Sequence, residues 1–179
     1  MKKLFLSLLL LVVVLSLTAA TAPRVGRATL VTVEKSLDER ISKLWDDNPY
    51  LLLGNTRGVY LENFGAVFTA EIDMVLNPTS LMHAVVSKDE VVKFHEKKLV
   101  RLPILKKALR EALASCAMSL DTVPPEEQIT IVAFLPHHSW EDMTGIPTQL
   151  TVQAPRKKLL EAQHAGPAAL EAAIHISEN

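Results

Sequence analysis

One segment restricts the possible folds more than any other. Gln128 to Leu135 sets Ile129, Ile131, Ala133 and Leu135 on one side and Thr130, Val132 and Phe134 on the other. Two-residue alternation with apolar side chains on both faces is the pattern of a strand inside a sheet. A chain holding such a strand must supply partners for both of its edges.

Candidate partners are present. In Ala66 to Met74, Phe68, Ala70, Ile72 and Met74 fall on one face and Thr69, Glu71 and Asp73 on the other. Thr148 to Ala154 alternates too, with Leu150, Val152 and Ala154 pointing inward. Tyr50 to Leu53 and Val59 to Leu61 are shorter strand candidates around the turn-rich Gly54 to Gly58. Short loops join the first three strands, so an antiparallel meander is expected.

Helical spacing fills the remainder. Leu30, Val33, Leu37, Ile41 and Leu44 form one stripe, closed near Asn48-Pro49. Ser87 and Glu90 have capping-box form and start a long helix at Lys88. Pro103 is expected to kink or break it, because proline removes a backbone donor. Pro155 suits the first turn of a last helix, and Gly166-Pro167 ends it. The order is helix, three-strand meander, long kinked helix, β-hairpin, helix. That predicts a two-layer α+β domain with about five mostly antiparallel strands. It would occupy residues 28–165, with 166–179 as an alanine-rich tail.

The N-terminus points to export. Lys2 and Lys3 precede an uncharged apolar run from Leu4 to Leu17, and small residues follow from Thr18 to Ala22. This is the order of a secretory signal over residues 1–20. The Ala20-Thr21-Ala22 box is followed by Pro23, which obstructs cleavage there. A cut after Ala20 avoids it, and a segment retained to Ala22 would serve as an anchor. The expected location is therefore secreted or periplasmic, or membrane-anchored if uncleaved. Without the first 20 residues, 17 basic face 20 acidic side chains, a net charge near −3 that speaks against general nucleic-acid binding. Cys116 is the sole cysteine, so no internal disulfide can form.

Arg57-Gly58-Val59-Tyr60-Leu61 followed by Phe64-Gly65-Ala66-Val67-Phe68, and Ser139-Trp140-Glu141-Asp142 followed by Gly145-Ile146-Pro147, form a recognisable pair of segments. Together they resemble uncharacterised exported bacterial proteins with the same layout over about residues 50–160. The resemblance implies a layout and no activity.

Site candidates come from loops and charge. His137, His138, Glu141 and Asp142 carry donor types that suit zinc, although the strong zinc spacings are absent. They define one reading, a small metal-dependent hydrolase using the 137–142 loop. Trp140 is a possible partner anchor, or a loop residue folded onto the core edge. Residues 88–110 hold eight basic and three acidic side chains, a basic excess able to meet anionic lipid or an acidic partner. Glu71 and Asp73 read as a solvent face, His95 as a core-edge residue and Cys116 as a small buried hydrophobe. No phosphate loop and no G-x-S-x-G elbow occurs, and no cofactor is expected.

The favoured reading is a non-enzymatic binding or assembly module. Its binding residues would be Trp140, Arg57, Tyr60, Lys97, Lys98 and Arg101. Its partner would be an envelope protein, an anionic membrane surface or, through exposed strand edges, another copy of the chain.

Overall fold

Leu30, Val33, Leu37 and Ile41 recur at helical spacing, and all four are buried in helix α1 (Arg27–Ile41). They belong to a computed structural model that describes residues 25–45, 51–52, 54–75 and 86–179. The signal segment and the Asn48-Pro49 dipeptide lie outside the described residues, but α1 already ends at Ile41, so Leu44 falls outside the helix and Asn48-Pro49 is not what stops it. After α1 come β1 (Leu51–Leu52), β2 (Arg57–Leu61), β3 (Gly65–Asp73), α2 (Lys88–Ser119), β4 (Gln128–Phe134), β5 (Gln149–Pro155), α3 (Arg156–Ala165), α4 (Pro167–Ala173) and β6 (His175–Glu178). The protein is an α+β fold with a mostly antiparallel sheet.

The sheet runs β1-β3-β4-β5-β6, with β2 also paired to β3. β1 and β2 lie one after the other along the same edge of β3, opposite Ile72–Asp73 and Gly65–Thr69 respectively. They form an interrupted edge instead of two separate rungs of a meander. β4 is central, as its two apolar faces require, and it runs parallel to β3. A parallel neighbour needs a crossover, and α2 supplies it. β5 and β6 then add antiparallel strands.

Ser87 opens α2 with a complete capping box: its hydroxyl accepts the Glu90 N–H, and the Glu90 carboxylate accepts the Ser87 N–H. The helix is not broken at Pro103. Pro103 is exposed, so water can meet the carbonyl that lost its donor. Leu102 and Leu105, on either side of it, stay buried against the sheet. The segment 166–179, read from sequence as a tail, forms α4 and the edge strand β6. Alanine masked its helical period, and four residues of strand are too few to show alternation. Ile174 between them is buried, and the Thr148 and Gln149 N–H groups donate to the Asn179 carbonyl.

One sheet face carries the core. Ala66, Phe68, Ala70 and Ile72 of β3, Ile129, Ile131 and Ala133 of β4, and Leu150, Val152 and Ala154 of β5 are all buried under the helices. Polar side chains lock α1 to the edge. Glu34 takes a bidentate pair from Arg27 at 2.7 and 2.9 Å and the Gly58 N–H at 2.7 Å. Asp38 accepts both the N–H and the hydroxyl of Thr56. Burial works against the Glu34 charge, but these donors overcome it and hold its pKa below the usual value.

Backbone approaches most closely where β3 begins. Gly65 has φ +129°, and a Cβ there would lie 1.9 Å from the Gln128 carbonyl oxygen. Gly65→Ala is therefore expected to cost roughly 3 kcal/mol or more, through strain at positive φ and displacement of β4 from β3. Urea unfolding measures this. A loss below about 1 kcal/mol would contradict the close approach.

Candidate functional site

β3 and β4 end side by side, and the chain beyond them meets the first half of α2. Three interactions hold the loop after β4 on that helix, and two more brace the loop internally. The Lys98 ammonium is ion-paired with the Glu141 carboxylate, and both side chains are only 2% exposed. Glu141 also accepts the His138 N–H at 2.9 Å. Trp140 packs edge-to-face with Phe94, ring centres 5.1 Å apart, and the His138 ring stacks on Trp140 at 5.6 Å. His95 Nδ1 lies 2.8 Å from the Asp142 carbonyl oxygen.

Arg101 sits one turn further along α2. It donates to the Met74 carbonyl just past β3, and its guanidinium lies 4.8 Å from the centre of the Trp45 ring. The Lys98 ammonium lies 5.1 Å from the centre of the Phe94 ring. Both cations are thus desolvated against aromatic faces, where such contacts are stronger than in water. Asp73, at the end of β3, completes the charged group. Burial raises its pKa, and the Glu141 charge adds to that. The Val75 N–H, Lys98 and His138 pull the other way without cancelling the rise.

Lys98 and Arg101 are therefore not on a solvated basic face. Phe94, Lys98, Arg101, Leu102 and Leu105 form the inward stripe of α2, and charge alone is a poor guide to which way a helical residue points. The basic excess of residues 88–110 is dispersed further by ion pairs of Lys106 with Glu178 at 2.7 Å and Arg110 with Glu171 at 3.7 Å. Lys97 is half-exposed on the flank of α2.

The other candidates are scattered. Trp140 is half-buried as the pin of the loop. Tyr60 is half-buried at the far edge, and its hydroxyl donates to Glu127 at 3.3 Å. Burial and the Glu127 charge raise its pKa. Arg57 is exposed on the opposite sheet face. The six proposed binding residues do not form one site. His137, His138, Glu141 and Asp142 do not converge either. His137 is exposed, Glu141 turns inward to Lys98, and the Asp142 carboxylate accepts the Thr144 N–H at 2.9 Å, which lowers its pKa. Among the described residues no three His, Cys, Asp or Glu side chains are grouped to hold a metal ion. Cys116 is buried, which pushes its thiol up to about 12 and leaves it un-ionised at neutral pH.

Asp73 and Trp45 were missed from sequence as members of this group. The signal available for Asp73 was its place at the end of an alternating strand, where the solvent face gives way to a loop. A buried ammonium held by a carboxylate against the Phe94 ring is not presented to a substrate. What the arrangement does is fix the loop between β4 and β5. Among the described residues, no helix is long and apolar enough to cross a membrane. Compared with family models, curated proteins and solved structures, the chain matches none.

Two predictions follow the ion pair and its neighbour. Glu141→Gln leaves a buried ammonium without its counter-charge and should cost roughly 3–5 kcal/mol in urea unfolding, whereas Lys98→Met with Glu141→Leu should restore most of that. A double variant no more stable than the single one would mean the pair is not the anchor. Asp73 has a folded-state pKa above its unfolded value, so its ionised form subtracts stability above the folded pKa, and the penalty vanishes as pH falls below the unfolded one. Asp73→Asn should accordingly raise Tm at neutral pH, with the gain shrinking to nothing on acidification. Melting curves across pH read this directly.

Proposed function

We propose that this chain is a non-enzymatic assembly module of an exported protein, and that it associates with a second copy of itself through the open face of its sheet. The observation that carries the reading is the one-sided packing. The face opposite the helices exposes Val59 at 48%, Leu61 at 47% and Phe134 at 44%. Phe134 belongs to the central strand, so its exposure is not an edge effect. Half-buried Val67 and Val132 continue the apolar surface between them.

Charge on this face is self-complementary. Arg57 and Glu71 both border the depression that contains Phe134. A two-fold operation can set Arg57 of one copy against Glu71 of the other, and the converse, as an isologous interface requires. Thr69, Thr151, Gln149 and Gln153 supply the polar remainder. The loop-anchoring residues have no part in this surface, which favours assembly over catalysis.

Sedimentation equilibrium tests the reading. The protein should be dimeric at micromolar concentration, Phe134→Glu should make it monomeric with its circular dichroism unchanged, and Arg57→Glu should weaken the dimer about tenfold. Exchange of both charges, Arg57→Glu with Glu71→Arg, should recover the dimer. A wild-type protein that stays monomeric at hundreds of micromolar would overturn the proposal.

A further inference from the structure

Nine large apolar side chains are exposed among the described residues, and five of them lie on α2: Val92, Leu99, Val100, Ile104 and Met118. The first four share one side of the helix through four-, seven- and eight-residue spacings, with exposed Pro103 between them. They face away from Phe94, Lys98, Arg101, Leu102 and Leu105, which are buried. A helix that is apolar around much of its girth is normally covered on more than one side.

Charge on this outer side is balanced. Lys93 stands one turn from Glu96, and Lys107 one turn from Glu111, at 4.0 Å. Lys97 lies on the flank, off this side. A face without net charge gives little hold to an anionic headgroup or an acidic peptide. It matches an uncharged apolar segment, and Leu4 to Leu17 lies in the chain's longest stretch without a charged residue.

Length and reach agree with that match. As a helix, Leu4 to Leu17 would be about 21 Å long, against about 18 Å from Val92 to Ile104. α1 packs across the C-terminal half of α2, where Val33, Leu37 and Arg40 meet Ala112, Cys116 and Ser119. Arg40 also donates to the Ser115 hydroxyl there, at 2.9 Å. The chain therefore enters α1 near the end of α2, about 22 Å along that helix from Ile104. Residues 18–26 can span about 30 Å when extended, enough to bring Leu4 to Leu17 over the outer side. So short a tether gives a local concentration on the order of millimolar, which favours this segment over an equally apolar one from another protein.

We infer that, in the chain that keeps its first 24 residues, Leu4 to Leu17 docks as a helix on the outer side of α2, over Val92, Leu99, Val100 and Ile104. Docking and entry into a bilayer use the same apolar surface and exclude one another. The contact thus holds the segment back from a membrane. It lies on the helical layer and stands apart from assembly through Val59, Leu61 and Phe134.

Disulfide crosslinking of the full chain tests it, with the protein made by cell-free synthesis so that no peptidase acts. In a Cys116→Ala background, Val100→Cys is combined in turn with Leu8→Cys, Leu9→Cys, Leu10→Cys and Leu11→Cys. Mild oxidation of dilute protein should join at least one of these pairs within a chain, whereas Val59→Cys on the open sheet face, in place of Val100→Cys, should join none. Vesicles of phosphatidylethanolamine and phosphatidylglycerol give a second readout. Val100→Asn with Ile104→Asn should bind them about tenfold more tightly than wild type, as a segment docked about nine-tenths of the time requires, with circular dichroism unchanged. Intramolecular yields no higher than with Val59→Cys would overturn the inference. Disulfides that form only between chains and rise with concentration would place the segment on a second copy, and equally refute it. Equal vesicle binding by wild type and the double variant would show that α2 does not compete with the membrane, and would refute it too.

Discussion

β3 and β4 lie side by side and point the same way, so the chain must travel back along the sheet between them. α2 makes that journey with 32 residues, about 48 Å of helix, against about 23 Å for the seven residues of β4. The helix is longer than the layer it covers. Arg101 is level with the end of β3, where it meets the Met74 carbonyl, so the residues before it overhang the sheet. The loop after β4 closes against this overhang. Lys98 is buried where the loop carrying Glu141 comes down upon it, beyond the reach of the sheet. The ion pair, the stacked rings and the placement of Asp73 are all consequences of one parallel pairing.

Much of this architecture is legible in the residues. Alternation located β3, β4 and β5 and named their buried sides, because burial on a pleated sheet leaves a two-residue signature. Ser87 and Glu90 marked the start of α2 through the hydrogen bonds that they make. The direction of β4 was not legible, since alternation is the same whichever way a strand runs. Nor was the single-sided cover of β4. Apolar residues on both faces marked its central place, but Val132 and Phe134 look outward on a face that no described helix covers.

The loop-anchoring site was half legible. Glu141 and Trp140 stood out by type and crowding, while Lys98 and Arg101 stood out for the wrong reason, as part of a basic run. Their distinction from Lys97 lies in helical phase. Phe94, Lys98 and Arg101 are four and three residues apart, in step with Leu102 and Leu105, whereas Lys97 is out of step. Asp73 and Trp45 meet the cluster only through tertiary contact, which no local pattern encodes.

The register of β3 on β4 joins Gly65 to Gln128, with α2 wholly contained between them. Closing so long a loop costs entropy before any ladder bond is made. Pairings of this kind slow folding, since distant segments must meet before local contacts can reward them. The hairpin of β2 and β3 and the capped helix α2 can form early from near neighbours. The middle of the sheet has to wait. During that interval the facing edges of β3 and β4 stay unfilled, and the chain is open to other strands for longer than an all-antiparallel arrangement of the same segments would be.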